Sequence, residues 1–290
     1  MRLNIDVENV TVTYKDFEAI KGVSFHLESG KIYGFIGRNG AGKTTMLSLL
    51  ASFREPSSGS IKIGGENPFE NGKITPYVSF IYNADYTDET EKVKGLLEVA
   101  ERYRPNFDAI FAEKLVKRFK LPLDKPVYKL SKGMQSALNV TIGLASRSPI
   151  TIFDEAYIGM DAPTREIFYQ ELLEDHEKHP RTIILSTHLV SEMDYLFDEV
   201  LIIHKGELVA KDSYEDFIGK GTSITGSSEV VETFVRGMEL LNTQQLGNTK
   251  RVVVYGQLSD EKLFEAGQLD LEIGTIPLQD LFIHLTREEE

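Results

Sequence analysis

Gly37-Arg38-Asn39-Gly40-Ala41-Gly42-Lys43-Thr44 carries the most specific chemistry in this sequence. Its spacing, G-x-x-x-x-G-K-S/T, suits a loop that cradles phosphates. Glycines let successive backbone N–H groups curl toward one anion, and a following helix adds positive partial charge at its N-terminus. Lys43 can reach the β- and γ-phosphates of a nucleotide, and the Thr44 hydroxyl can ligate Mg2+. The bland alternative, an ordinary Gly-rich turn, is disfavoured because a strand pattern precedes the loop and a helix pattern follows it. A second acidic site stands at Ile150-Thr151-Ile152-Phe153-Asp154-Glu155, an apolar run ending in two carboxylates. In an open α/β sheet such strand ends line the ligand crevice. There Asp154 would hold Mg2+ and Glu155 would polarise the attacking water. His188 follows the apolar run ending in Leu185-Ser186-Thr187 and is a candidate for γ-phosphate contact. A lone His is more often structural or simply exposed, and on the residues alone both readings stand.

These groups need elements to hold them. Residues 3–14 alternate as a strand, and Val23–Leu27 and Lys31–Ile36 read as two more, the last running into Gly37. A helix is expected over Met46–Phe53, then a turn, strand and turn over 56–65, and a buried strand at Val78–Ile81. From 84 to 148 the pattern turns helical. Val93, Leu96, Leu97 and Ala100 share one helical face, as do Phe111, Ala112, Leu115, Val116 and Phe119. A third helix starts near Ser131, with Met134, Ala137, Leu138 and Ala145 on one side. Strands return at Ile150–Phe153, Thr182–Ser186 and Val200–His204, with helices expected over about 163–178 and 189–197. Alternating strands and helices imply a parallel, layered α/β sheet. The small polar segment 221–227 (GTSITGS) reads as a boundary. Beyond it Val252–Tyr255 and a helix near 259–266 suggest a small α+β tail.

Composition bounds the answer. The 290 residues carry a formal net charge of −13 and no Cys. The missing Cys excludes a disulfide framework, a thiolate metal site and a cysteine nucleophile. The acidic balance gives no electrostatic footprint for nucleic acid. The first ten residues lack the apolar core of a signal peptide. No run approaches the roughly 18 apolar residues needed to span a bilayer.

Taken together, the ordered motifs resemble the ATP-binding subunits of ABC transporters over about residues 3–217. The resemblance implies an α/β P-loop NTPase (RecA-like) core with an antiparallel β subdomain and an inserted helical subdomain at about 84–148. It places an ATPase cassette at 1–220 and leaves a small accessory domain at 222–290. Tyr14 matches the aromatic residue that stacks on adenine. Gly37, Arg38, Asn39, Gly40, Ala41, Gly42, Lys43, Thr44 and Thr45 match Walker A. Asp154 and Glu155 match Walker B and the catalytic glutamate, His188 the switch histidine and Asp161 the D-loop aspartate. Leu130-Ser131-Lys132-Gly133-Met134 stands where the family has LSGGQ. The implied cofactors are ATP and Mg2+. The implied partners are a second ATPase subunit, identical or homologous, and a separate transmembrane permease subunit at the cytoplasmic face of the membrane. ATP would lie between one subunit's Walker motifs and Ser131, Lys132, Gly133 and Met134 of the other.

Some positions depart from that pattern. Asn83 replaces the Q-loop glutamine, which in the family senses Mg2+ and the γ-phosphate. Its amide is one methylene shorter, which implies contact through water or after loop closure. Lys132 and Met134 are unusual in the signature, and Ala156-Tyr157 replaces the usual Pro-Thr. Ser131 and Gly133 keep the key signature atoms, so an active ATPase is expected. The LSKGM signature, the short tail and the Leu281–Thr286 ending resemble Gram-positive exporter ATPases. Those handle drugs, antimicrobial peptides and amphipathic toxins such as phenol-soluble modulins. Two alternatives are weaker: a nucleotide-gated regulatory module with little hydrolysis, and a soluble ATPase acting on ribosomes or DNA. A GTPase is disfavoured because no N-K-x-D motif occurs.

Overall fold

A computed structural model describes residues 3–287. Met1, Arg2 and 288–290, and with them the outer limits expected for the two domains, lie outside the described residues. The chain divides into two units. The first holds the chain up to His188 together with Tyr195–Lys211, and the second holds Leu189–Asp194 and everything from Asp212 onward. The first part of the chain runs β1 (Ile5–Tyr14), β2 (Phe17–Leu27), β3 (Ile32–Ile36), α1 (Lys43–Leu50), β4 (Ser58–Ile63), β5 (Val78–Tyr82), α2 (Val93–Tyr103), α3 (Ala109–Arg118) and α4 (Lys132–Ala145). It continues with β6 (Ile150–Asp154), α5 (Ala162–Lys178), β7 (Thr182–Thr187), β8 (Glu199–His204) and β9 (Glu207–Ser213).

Two sheets pack in the first unit. The antiparallel sheet, order β2-β1-β4, follows from alternation: Ile5, Val7, Val10 and Val12 of β1 are buried against Ile20, Val23, Leu27, Ile61 and Ile63. The larger sheet has the order β5-β6-β7-β3-β8-β9, with β5, β6, β7, β3 and β8 parallel. Every residue of β3, β6 and β7 is buried. Such unbroken runs are what a parallel sheet covered on both faces selects. Register then sets function. Tyr82 pairs with Asp154, Asp154 with Ser186, and Phe35 with Ser186, so the carboxyl ends of β5, β6, β7 and β3 finish in one row.

The helical segment contains α2, α3 and α4. Asp108 and Ser131 cap α3 and α4 through their side chains, and each cap satisfies an N–H that the helix cannot. Ion pairs tie this segment to α5. Glu171 is 1% exposed and is met by Lys114 at 2.7 Å and Arg118 at 3.1 Å. Asp175, also buried, is met by Arg147 and Arg181. Buried carboxylates are tolerable only when paired in this way.

The second unit comprises α6 (Tyr214–Ile218), β10 (Gly221–Ser227), α7 (Ser228–Phe234), β11 (Leu240–Leu246), β12 (Thr249–Tyr255), α8 (Asp260–Gln268), β13 (Glu272–Thr275) and α9 (Leu278–Leu285). Its antiparallel sheet has the order β11-β12-β10-β13, and Ile224, Val231, Phe234, Val252, Val254 and Leu271 form its core. Two expectations are corrected. The segment 221–227, read as a joint, is β10, paired on both edges. Its hydroxyls are compatible with burial because they are bonded, Ser223 by Arg251 at 2.9 Å and Thr222 to the Gly256 carbonyl. The helix expected over 189–197 is instead two short 3-10 turns, Val190–Glu192 and Asp194–Leu196. Val190, Met193 and Leu196 are buried, and this three-residue spacing fits a 3-10 rather than an α repeat. No helix among the described residues is long and apolar enough to cross a membrane.

Glu199 supplies a test of the electrostatics at the start of β8. Burial alone would raise its carboxyl, yet Lys211 and Lys31, each 2.6 Å away, hold it below the usual carboxylate range. A carboxylate with a depressed folded pKa stabilises above its unfolded value, about 4.3, and that stabilisation is lost as pH falls through the folded value. Glu199→Gln is therefore expected to be about 1–2 kcal/mol less stable at pH 7. The gap should narrow in urea titrations below about pH 4. A gap of equal size at pH 7 and pH 3 would contradict the pairing.

Candidate functional site

The loop after β3 owes its shape to glycine. Gly40 and Gly42 have φ of 80° and 106°. At Gly42 a Cβ would also come within 2.7 Å of the Ala19 carbonyl. Left-handed steps of this kind let successive amides face one concavity, as an anion nest requires, and Gly42 is the N-cap of α1. Lys43 is only 6% exposed. Its Nζ donates to the carbonyls of Gly37 (2.7 Å) and Arg38 (3.3 Å), and lies 3.5 Å from Glu155 Oε1. The ammonium is thus held inside the loop, beside the carboxylate that follows β6, two strands over in the same sheet.

Glu155 stands one residue beyond β6 with φ 49°, a left-handed backbone for a non-glycine residue. Such strain, about 1–3 kcal/mol, concentrates at functional sites. Its amide donates to the Ser186 carbonyl, and its Oε1 lies 2.9 Å from His188 Nδ1. Two residues on, the buried Tyr157 hydroxyl is 2.7 Å from Thr187 Oγ1. This contact fastens the Glu155 loop to the residue before His188. Asp154 is buried, and its Oδ1 has no hydrogen-bond partner.

A cleft of about 340 Å3 opens over these groups, lined by Tyr14, Asn39, Gly40, Gly42, Lys43, Thr44, Thr45 and Glu155, with Phe17 and Ala19 beside them. That volume is within the range of small-molecule sites. A larger depression, about 550 Å3, includes Arg147, Arg181 and Thr182. It sits at the amino end of β7, whereas ligands of open parallel sheets bind at carboxyl ends. The smaller cleft is the chemically organised one.

The expected residues divide by place. Gly37, Arg38 and Ala41 complete the loop, and His188 joins through Glu155. Asn83 is exposed one residue beyond β5, as Glu155 is beyond β6. Ser131, Lys132, Gly133 and Met134 do not line the cleft. Ser131 caps α4 by accepting from the Met134 amide. Asp161 caps α5, and Thr164, through its hydroxyl and amide, holds the Asp161 carboxyl below its ordinary range. Phe17 and Arg54 join these residues, one in the cleft and one over Tyr14. Phe17 faces Tyr14 across the β1–β2 turn, which alternation around Lys15-Asp16 could have revealed. Arg54 lies 4.4 Å over the Tyr14 ring, and no local pattern announces it.

The donor set fits a Mg2+–triphosphate. Asp154 Oδ1 is a buried acceptor without a donor, and Thr44 offers a hydroxyl at the cleft. Among the described residues no three His, Cys, Asp or Glu side chains form an all-protein cage. A cation held here would take the rest of its ligands from phosphate and water.

Comparisons with known proteins point to one family. The family profile described as ABC transporter matches residues 20–157. The chain is 30% identical over 232 residues to the ABC transporter ATP-binding protein NatA of Bacillus subtilis, spanning 77% of this chain and 94% of that one. It is 28% identical over 302 residues to the Nod factor export ATP-binding protein I of Burkholderia lata, spanning 98% and 97% of the two. A solved ATP-binding subunit of an ABC transporter superposes on 73% of this chain and 91% of its own, with a TM-score of 0.65 and 24% identity. A bacterial Atm1-family ABC exporter with ATP bound matches 75% of this chain and 40% of its own, also with a TM-score of 0.65 and 24% identity. These two likenesses show the fold.

Lys43→Ala removes the one ammonium held inside the loop. Calorimetric titration with Mg-ATP is expected to show affinity reduced by roughly a hundredfold or more, given the strength of charge-assisted phosphate bonds. Unchanged affinity would contradict the phosphate-loop geometry.

Proposed function

The chain belongs to the ABC transporter ATP-binding proteins, and from that premise we propose that it powers export of an amphipathic or antimicrobial peptide. It is the ATP-hydrolysing subunit of a transporter, with ATP and Mg2+ as cofactors. In our reading two cassettes, identical or homologous, close on ATP and drive a separate transmembrane permease from the cytoplasmic face. In this reading the cassette spans 1–220 and 222–290 is accessory, a division about ten residues later in the chain than the break between the two compact units at Lys211 and Asp212.

One observation carries the mechanistic reading: the phosphate loop, Asp154-Glu155 and His188 meet at adjacent carboxyl ends of one parallel sheet. The loop amides and Lys43 bind the β- and γ-phosphates. Tyr14 stacks on the base, with Arg54 fixing its ring. Thr44 and Asp154 would hold Mg2+, assisted by Asn83 directly or through water. The ion supplies charge neutralisation on the phosphates. Glu155 orients and polarises the attacking water. His188, with Nδ1 committed to Glu155, has Nε2 left for a phosphate oxygen. Ser131 and the Gly133 amide of a second subunit, with Lys132 and Met134 beside them, complete the nucleotide site, and Asp161 lies at the same junction.

Relatives named for Nod factor export support the outward direction. The LSKGM signature and the Leu281–Thr286 ending support a peptide cargo. The test is transport in inside-out vesicles carrying the membrane subunit. ATP-dependent accumulation of a labelled amphipathic peptide in the lumen, lost with Lys43→Ala, is expected. ATP turnover without luminal peptide would refute this cargo. Movement in the reverse sense would refute export.

A further inference from the structure

Asn139 sits in the interior of α4, where Asn is a poor helix former, and it is 7% exposed. A buried amide needs partners, and those of Asn139 lie on either side of Asn83. Its Nδ2 donates to the Tyr82 carbonyl at 3.3 Å, and its Oδ1 accepts from the Tyr86 hydroxyl. The Tyr82 carbonyl also accepts from the Ala84 amide at 2.9 Å. That i to i+2 bond closes a three-residue turn with Asn83 at its centre. Burial pushes the Tyr86 phenol up, so it stays a neutral donor at physiological pH.

The helix that carries Asn139 is seated firmly. A Cβ on Gly143, one turn further along, would come within 2.7 Å of Ile81 and of Phe153, so the helix backbone lies directly on β5 and β6. Ser136 donates to the Ile158 carbonyl at 2.6 Å, in the loop that follows Glu155. At its start the same helix carries Ser131–Met134. Eight residues separate Ser131 from Asn139, roughly 12 Å of α-helix.

We propose that Asn139 is a positioning residue for Asn83, clamping the Asn83 turn to α4 so that the turn and the Ser131–Met134 segment move as one piece. This rests on the reading of Asn83 as the residue that meets Mg2+ or the γ-phosphate. Asn139 touches no nucleotide. A shift of Ser131–Met134 reaches Asn83 through the helix and the two amide bonds of Asn139. Nucleotide affinity, which the phosphate loop and Tyr14 supply, is not its task.

The experiment is steady-state hydrolysis of Mg-ATP by Asn139→Ala, Tyr86→Phe, Asn83→Ala and the double variants, with thermal unfolding alongside. Tyr86→Phe removes a single hydroxyl and keeps the clamp testable if Asn139→Ala does not fold. Coupling within such a network predicts that kcat falls by roughly three- to tenfold in either clamp variant, with KM within about twofold. Adding Asn83→Ala should lower kcat no further, because the clamp acts only through Asn83. Full kcat in a folded Tyr86→Phe, with Asn83→Ala slow, would overturn the clamp and leave the site reading intact. Losses that multiply in the double variants would also overturn it. A wild-type rate in Asn83→Ala would remove Asn83 from the site and the clamp with it.

Discussion

A triphosphate needs hydrogen-bond donors on one flank and a cation on the other, and both must be held by backbone that does not move. The parallel register of β5, β6, β7 and β3 meets that need. With Tyr82, Asp154 and Ser186 side by side, the first residues past the strands share one rim. Gly37 opens the loop there, Glu155 and His188 follow their strands, and Asn83 follows β5. A slip of one residue in β6 would turn Asp154 to the other face and carry Glu155 away from Lys43. The continuous burial of β3, β6 and β7 seats these strands in the core, so the packing of their Ile, Leu and Phe side chains carries the charges at the strand ends.

The charges are organised as a chain. Lys43 donates to two loop carbonyls and approaches Glu155, which in turn pairs with His188. Glu155 reaches this position through a left-handed backbone, and Tyr157 supports it from below by its contact with Thr187. The Ala156-Tyr157 departure noted in the sequence therefore has a structural counterpart: a bulky phenol that bonds across to β7. Similar economy appears elsewhere in the first unit, where Glu171, Asp175 and Glu199 are each held by two cations.

What could be read in advance was whatever depends on local spacing. The phosphate loop, the acidic strand end and the helical faces of α2 and α3 are statements about residues near each other in sequence. The remainder depends on contacts between distant segments. Arg54 reaches Tyr14 from forty residues away, and Asn139 reaches Tyr82 from fifty-seven, and nothing local marks either. The strand β10 is hidden in the sequence because Gly, Ser and Thr read as a turn until hydroxyl partners from other strands are known. The 3-10 turns after His188 were read as a helix because apolar spacings of three and four are hard to separate over so short a stretch.

In the proposed mechanism Glu155 provides the polarising carboxylate while the loop and Lys43 provide binding, so hydrolysis and binding can be separated. Glu155→Gln keeps the shape and the His188 contact but removes the charge. Light scattering of this variant with and without Mg-ATP, alongside phosphate release, tests the claim most directly. ATP-dependent dimers that persist are expected, with turnover nearly abolished. Hydrolysis at the wild-type rate by Glu155→Gln would contradict the mechanism.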